Sequence, residues 1–167
     1  GSFTPTSSLT SPDIVLYSNI NVFVATDLSA NTSNIACFLA GTLISIPSGD
    51  IPIENLKIGD AILSSDKKIA TVSATTGREV NSYYILMLDS GITRVTGEHP
   101  YMMSDGTFRE IKNLLAGDAL MGSTSTINHK VISVEQVNER ALVYNLTVES
   151  PHVYVANGVY VHNKPVQ

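Results

Sequence analysis

The chain has 167 residues, of which 43% are hydrophobic and 15% are charged, and its net charge at pH 7 is −5. This length and balance are typical of one globular domain with a short arm, and the acidic charge argues against nucleic acid or an anionic membrane as the main partner. The single cysteine excludes an internal disulfide and a four-cysteine zinc site, and no apolar run approaches the roughly 18 residues of a membrane span.

The first 36 residues differ in composition from the rest of the chain. Gly1-Ser2 is typical of the remnant of an expression tag, and residues 4–12 are rich in Ser, Thr and Pro, as in linkers. The runs at 14–17 (IVLY) and 21–26 (NVFVAT) predict two short strands. We therefore expect residues 1–36 to be a flanking segment, either a strand added to the main domain or the end of a truncated neighbour.

From Cys37 onward, short runs of β-branched and apolar residues alternate with turn residues, which predicts an all-β domain. The predicted strands are TLISI (42–46), DAILSS (60–65), YYILML (83–88), ITRVT (92–96), KVISVEQV (130–137), LVYNLTV (142–148) and HVYVA (152–156). The segments IENLKIG and FREIKNLLAG each predict at most one helical turn, and no long helical periodicity is present.

An internal repeat links residues 53–62 (IENLKIGDAI) to residues 111–120 (IKNLLAGDAL) at a constant offset of 58. Its Leu-x-x-Gly-Asp core predicts a turn in which Gly adopts a positive φ and Asp caps the backbone before a strand begins. Two copies predict two β halves related by a pseudo-two-fold axis. The second copy is also similar to the signature of LAGLIDADG homing endonucleases, but the absence of long helices and of a basic surface argues against an endonuclease.

Candidate reactive residues occur near both ends of this region. Cys37 precedes an Ala-Gly-Thr turn, and Thr96 and His99 stand three apart where a predicted strand ends. Considered singly, a lone cysteine is more often core filling, and such a histidine is more often a satisfied turn residue.

The chain ends close to a His-Asn pair, His162-Asn163, which follows an apolar strand. An asparagine amide can attack its own carbonyl to form a succinimide and cut the chain, and a nearby imidazole can assist by proton transfer. Asn145 and His152 lie in the preceding segment, and the Asn157-Gly158 turn can fold His152 back towards the tail.

Together these motifs resemble the Hint superfamily of inteins, bacterial intein-like domains and hedgehog autoprocessing domains. CFLAGTLI resembles the N-terminal splicing block, VTGEHP the Thr-x-x-His block, and VYNLTVESPHVYVANGVYVHN the two C-terminal blocks. The resemblance implies a Hint domain at 37–163, with a flat, horseshoe-like all-β fold of two related halves, and a C-terminal flanking segment at 164–167. The 127-residue length suits a mini-intein, and the His-Asn end favours the intein or bacterial intein-like type over the hedgehog type.

For the N-terminal step, the resemblance implies that Cys37 attacks the carbonyl of Ala36 and converts the peptide bond into a thioester. The thiolate is the reactive form, so the site must favour its ionisation. The resemblance assigns protonation of the departing nitrogen to His99 and orientation of the scissile carbonyl to Thr96.

For the C-terminal step, the resemblance implies cyclisation of Asn163 assisted by His152 and His162, with cleavage before Lys164. Many inteins have Asp at the position of Asn145, where an ionised carboxylate can activate the thiol. Standard splicing also needs Cys, Ser or Thr at the position of Lys164, so the resemblance implies the pattern of bacterial intein-like domains, which cleave at either end. Ligation would require another route, such as aminolysis of the thioester.

Two alternatives stay open at this point. Asn145 and Lys164 favour a silent Hint-fold structural or binding module in a larger protein, and Cys37, His99 and Asn145 could instead form a thiol protease that acts in trans. The predicted partners are the chain's own flanking segments, in a monomer without nucleic acid or membrane. No cofactor is required, although an inhibitory zinc site is conceivable at Cys37, His99, His152 and His162.

Overall fold

A computed structural model describes residues 36–123 and 128–163 of the chain. Within these residues the structure is all-β, without an α-helix, and three single 3₁₀ turns lie at Ile53–Asn55, Ser65–Lys67 and Ile111–Asn113. The all-β prediction is therefore confirmed, and two of these turns lie in the two segments that predicted a helical turn. None of the helices in the described part is long and apolar enough to cross a membrane. The strands predicted at 14–17 and 21–26 lie outside the described residues.

Fourteen strands are present in the described ranges. They are β1 (Phe38–Leu39), β2 (Leu43–Ile46), β3 (Gly49–Pro52), β4 (Ala61–Leu63), β5 (Ile69–Val80), β6 (Tyr83–Leu88), β7 (Gly91–Val95), β8 (Pro100–Met102), β9 (Phe108–Glu110), β10 (Ala119–Leu120), β11 (His129–Val137), β12 (Ala141–Val148), β13 (Val153–Ala156) and β14 (Val159–His162). Each of the seven predicted runs overlaps one of these strands. The longest strand, β5, was not among them.

Antiparallel pairing assembles the strands into two sheets with related orders. The larger sheet has the order β10-β11-β6-β7-β1-β12-β5-β4, and the smaller sheet has the order β3-β2-β13-β14-β8-β9. When β2 to β5 are exchanged with β8 to β11, β1 with β7, β6 with β12 and β13 with β14, each strand order is reproduced in reverse. The predicted pseudo-two-fold therefore passes between β7 and β1 in one sheet and between β13 and β14 in the other.

The repeated turns form in the same way in both halves. Gly59 has a φ of 97° and Gly117 a φ of 95°, a region that other residues rarely adopt. The carboxylates of Asp60 and Asp118 each accept a hydrogen bond of 2.8 Å from the backbone N–H three residues earlier. The repeat is thus conserved in hydrogen bonding as well as in sequence, which explains its Gly-Asp core.

One main hydrophobic core joins the inner faces of the two sheets. Phe38 on β1 of the larger sheet makes edge contacts with the rings of Tyr101 and Tyr154 in the smaller sheet, at centroid distances of 6.5 and 6.4 Å. All three side chains have zero exposure. Burial of Phe38 alone contributes about 2–3 kcal/mol, and it fixes the neighbouring Cys37 between the sheets.

Candidate functional site

Cys37 and Thr96 meet at the seam between β1 and β7. Because Phe38 pairs with Val95, the antiparallel register places Thr96, which follows β7, beside Cys37, which precedes β1. The Cys37 N–H donates to Thr96 Oγ1 at 2.9 Å, and the Cys37 carbonyl accepts from the Thr96 N–H at 2.9 Å and from its hydroxyl at 3.3 Å. Thr96 therefore holds both polar groups of the Cys37 backbone.

The bond that precedes Cys37 is buried with it. Ala36 is 2% exposed and Cys37 is 1% exposed, and the nitrogen held by Thr96 is the amide nitrogen of the Ala36–Cys37 bond. Sequence reasoning expected Thr96 to orient the carbonyl of this bond. In the structure its hydroxyl instead contacts the nitrogen side, because the strand register aligns it with the Cys37 N–H.

The turn from Thr96 to His99 depends on a glycine. The His99 N–H donates to the Thr96 carbonyl at 3.3 Å, which closes the turn. A Cβ added at Gly97 would lie 2.7 Å from a ring carbon of Tyr84 and 3.5 Å from Cβ of Lys112. Only glycine lets the turn approach the Tyr84 ring so closely, and this approach sets the positions of Thr96 and His99.

The His99 ring lies in an apolar environment between the sheets. It is 1% exposed, its centroid is 4.2 Å from that of Phe38, and Tyr101 and Tyr154 flank it at 6.1 and 6.3 Å. Neither ring nitrogen has a hydrogen-bond partner among the described residues. Burial, and secondarily the charge of His162, lowers the pKa of His99 from 6.5 to about 3. The imidazole is thus neutral at physiological pH, with both nitrogens available.

The thiol of Cys37 is buried against an arginine that sequence reasoning missed. The pKa of the Cys37 thiol is raised from 9.0 to about 11, chiefly because the thiol is buried. The Arg78 guanidinium, which hydrogen-bonds the thiol, lowers this pKa, and the Glu98 carboxylate raises it slightly. Arg78 pairs with Val143, which in turn pairs with Leu39 on β1. This row places Arg78 on the same sheet face as Cys37. The available signal was an arginine that directly follows the uncharged stretch from Ile69 to Gly77.

Asn145 lies on the strand next to Cys37. In the β1–β12 register Phe38 pairs with Tyr144 and Leu39 with Val143, so the next position places Cys37 opposite Asn145. Asn145 is half-buried. Asn145 is therefore the cross-strand neighbour of the thiol-bearing residue.

Asn163 is held by both of its amide groups at the end of β14. Its side chain is buried, with 4% exposure, and its side-chain oxygen accepts a hydrogen bond from the Val148 N–H. Its backbone N–H donates to the His152 carbonyl at 2.6 Å. These two bonds fix the conformation of the asparagine against the larger sheet.

His152 and His162 lie near Asn163 with their rings 6.3 Å apart. The Nδ1 atom of His152 is 2.7 Å from the Val148 carbonyl, and the residue has a φ of 66°. The ring of His162 packs on the edge of Phe108 at 4.8 Å. The structure therefore brings both histidines to the C-terminal asparagine. His152 is held by the Val148 carbonyl, and His162 is held by the Phe108 ring.

His99 connects the two ends of the domain. Tyr101 pairs with Val161, and extending this register by two residues places His99 opposite Asn163. The same imidazole packs against Phe38, the residue after Cys37. The residues flanking both candidate cleavage points thus converge on His99, at the pseudo-two-fold seam.

The structure does not bring the four residues of the hypothesised inhibitory zinc site together as a metal-binding group. In the described ranges, no group of three or more His, Cys, Asp or Glu side chains could hold a metal ion. The register explains this, because His162 aligns with Pro100, one position away from His99 on the neighbouring strand. Since successive side chains of a strand point to opposite faces, the rings of His99 and His162 lie on opposite faces of the smaller sheet.

Comparison with known proteins assigns the family. Residues 43–164 match the pretoxin Hint domain family. This chain belongs to that family. The resemblance to the Hint superfamily predicted from the sequence motifs is confirmed, and the fold and family are those of protein autoprocessing domains. No curated protein shows a significant match to the sequence of this Hint domain.

Solved structures agree with this assignment. The bacterial intein-like domain from Clostridium thermocellum is 30% identical, with a TM-score of 0.70 over 76% of this chain and 98% of that chain. The gp41-1 intein is 22% identical, with a TM-score of 0.67 over 77% and 98%. A DnaB intein from Synechocystis is also 22% identical, with a TM-score of 0.66 over 78% and 99%. The latter two likenesses concern the fold alone.

Proposed function

We propose that this Hint domain cleaves its own chain at two bonds, Ala36–Cys37 by an N–S acyl shift and Asn163–Lys164 by asparagine cyclisation. The observation that carries the proposal is the 2.9 Å hydrogen bond from the N–H of the Ala36–Cys37 bond to Thr96 Oγ1. A side-chain hydroxyl on the nitrogen of the bond that precedes a buried cysteine is suited to hold that nitrogen while the bond is exchanged. Similarity to a bacterial intein-like domain at 30% identity supports the same chemistry.

In the first step, Cys37 Sγ adds to the Ala36 carbonyl carbon, the carbon–nitrogen bond breaks, and the thiol proton ends on the freed α-amine of Cys37. Arg78 stabilises the thiolate by its charge and its hydrogen bond. Thr96 keeps the leaving nitrogen in place. Neutral His99, whose ring nitrogens have no other described partner, is the group available to carry the proton from sulfur to nitrogen.

In the second step, Nδ2 of Asn163 attacks the carbonyl carbon of the same residue. The bond to Lys164 breaks, which leaves a succinimide at Asn163 and a free α-amine on Lys164. The hydrogen bonds to Val148 and His152 hold the asparagine in one conformation, and such positioning accounts for a large part of the barrier reduction in intramolecular reactions. His152 or His162 supplies the proton that the leaving amine requires.

Cleavage rather than ligation is the expected outcome. Lys164 has no hydroxyl or thiol on its β-carbon, so it cannot take over the acyl group from Cys37 by transesterification. Ligation would need the α-amine of released Lys164 to attack the thioester directly. The burial that raises the pKa of Cys37 to about 11 favours slow cleavage. If the cleavage rate were negligible, the domain would be a silent structural module.

Intact mass over time, with and without dithiothreitol, tests the proposal on the full chain. We expect thiol-dependent release of residues 1–36. Separately, we expect release of residues 164–167. The remaining product should end in the Asn163 succinimide, whose mass is one water below that of its hydrolysed form. Cys37→Ala should abolish the first product, and Asn163→Ala the second. Equal processing of parent and variants would refute self-cleavage, and unchanged mass from about pH 6 to pH 9 would support the silent module.

A further inference from the structure

Two tyrosine hydroxyls in the core have no partner in the folded state. Tyr101 and Tyr154 both have zero exposure, and neither hydroxyl has a hydrogen-bond partner among the described residues. Both residues pair with Val161, from its two sides. Because directly opposed residues of an antiparallel sheet share a face, the two phenol rings flank Val161 on the inner face of the smaller sheet.

These rings pack against two residues of the N-terminal site, Phe38 and His99. Each lies between 6.1 and 6.5 Å from the rings of both Phe38 and His99. The Tyr154 hydroxyl also lies close enough to Cys37 and Tyr101 for their charges to raise its pKa, and burial raises the pKa of both tyrosines. Both phenols are therefore protonated hydrogen-bond donors at any working pH.

Unpartnered buried hydroxyls are unfavourable for folding. A hydroxyl without a partner has lost its hydration, whereas phenylalanine would fill the same space without that cost. Most buried polar groups are paired, and exceptions at a reacting centre often have a catalytic role. Two such donors packed against His99, with Tyr154 also within electrostatic range of Cys37, point to an acceptor that forms only during the reaction.

We infer that Tyr154, supported by Tyr101, donates hydrogen bonds to the oxyanion that develops on the Ala36 carbonyl oxygen. When Cys37 Sγ adds to the carbonyl carbon, the sulfur–carbon bond forms and the π electron pair moves to oxygen. Sulfur and oxyanion are then bound to the same carbon, so a donor near the thiol is also near the oxyanion. The tyrosines keep their protons, and the donors lose their partner when the intermediate collapses to thioester and amine. This inference rests on the proposed acyl shift.

The test compares Tyr154→Phe and Tyr101→Phe with a matched control, Tyr160→Phe. Tyr160 is on the same β13–β14 hairpin, but its ring belongs to the separate cluster with Val153 and Val155. Loss of an oxyanion donor typically slows catalysis by about 100-fold or more. We expect a decrease of about that size in thiol-dependent release of residues 1–36 for Tyr154→Phe, a smaller decrease for Tyr101→Phe, and no change for the control.

Two further measurements separate this role from packing. The melting temperature of Tyr154→Phe should be equal to or above that of the parent, and C-terminal cleavage at Asn163 should keep its rate. A Tyr154→Phe rate within about twofold of the parent, or an equal slowing of both cleavages, would overturn the assignment while leaving the proposed function intact.

A titration decides the question even when the parent fails to cleave. The chain has one cysteine, so ¹³C-labelled cysteine gives a single Cβ signal that reports ionisation of Cys37. The Tyr154 hydroxyl and Cys37 interact electrostatically. A phenol dipole directed at the reaction centre stabilises the thiolate, so Tyr154→Phe should shift this titration to higher pH, and Tyr160→Phe should leave it in place. An unchanged titration in Tyr154→Phe would overturn the inference, and absence of cleavage in the parent would overturn the proposed function separately.

Discussion

The hydroxyl of Thr96 lies 2.9 Å from the backbone nitrogen of Cys37, the nitrogen that an acyl shift at this cysteine must release. The contact spans 59 positions of sequence and results from antiparallel pairing of β1 with β7. The same threonine also donates two hydrogen bonds to the Cys37 carbonyl. The scissile bond is thus held from its nitrogen side.

Thr96→Val should remove the hydrogen bond from the Cys37 N–H to the Thr96 hydroxyl while preserving the shape of the side chain. Thr96 is 3% exposed, so the Cys37 N–H would be left without its acceptor, at a cost of about 1–3 kcal/mol in the free energy of unfolding. We expect N-terminal cleavage to slow by about tenfold or more. Thr96→Ser keeps the hydroxyl and is the control. Denaturant unfolding and intact mass measure both effects, and equal cleavage rates in the two variants would contradict the role of the hydroxyl.

Arg78→Met should raise the pKa of Cys37, because it removes the cation that opposes the effect of burial on the thiol. Each unit of pKa increase lowers the thiolate fraction about tenfold at fixed pH below the pKa. N-terminal cleavage should slow accordingly, and raising the pH should restore it. Arg78→Lys keeps the charge and should lie between parent and Met variant, whereas a rate insensitive to both substitutions would remove Arg78 from the site.

The rate of N-terminal cleavage should rise steadily with pH. The thiolate is the nucleophile, and burial places the pKa of Cys37 at about 11, so the thiolate fraction grows about tenfold per pH unit below that value. His99, with a pKa of about 3, stays neutral throughout and adds no inflection near neutrality. Initial rates in dithiothreitol between about pH 7 and pH 10 measure the slope, and a plateau near pH 8 would show that the thiol ionises more readily than its burial implies.

The fold itself could be predicted further than the site. A continuous apolar run such as that of β6 shows its strand directly, and the Gly-Asp turns show the two-fold repeat. The sequence of β5 is rich in Thr and small residues, so its strand is stabilised by pairing with β12, a long-range contact that local patterns do not encode. Arg78, Tyr101 and Tyr154 were missed for the same reason, since their positions around Cys37, Phe38 and His99 depend on strand register and sheet packing.

Acid should destabilise the domain through His99. Its pKa in the folded state, about 3, is below the ordinary value of 6.5, so the unfolded chain takes up the proton first as the pH falls. The corresponding stability is fully present above about pH 6.5 and is lost progressively as the pH falls towards 3, by up to about 4 kcal/mol. His99→Gln should flatten the dependence of unfolding free energy on pH in this window. Denaturant unfolding at a series of pH values from about 3 to about 7 measures this dependence, and an unchanged slope in His99→Gln would contradict the role of His99.

Gly97→Ala should disturb the reaction centre from outside it. The new methyl group would lie 2.7 Å from the Tyr84 ring, so either the ring or the turn that carries Thr96 and His99 must move, at a cost of about 1–3 kcal/mol. Gly77→Ala is the matched control, because its added Cβ would meet the Tyr144 ring at an ordinary 3.7 Å. We expect slower N-terminal cleavage and a lower melting temperature for Gly97→Ala alone.

A second change separates steric displacement from a general loss of stability. Tyr84→Leu removes the ring that the added methyl group would meet, so the double variant with Gly97→Ala should recover part of both losses. A double-mutant cycle on the melting temperature and on the cleavage rate measures this coupling. Independent, additive effects would mean that the close approach to Tyr84 does not set the turn. The position of the Thr96 hydroxyl on the scissile nitrogen would then depend on the β1–β7 register alone.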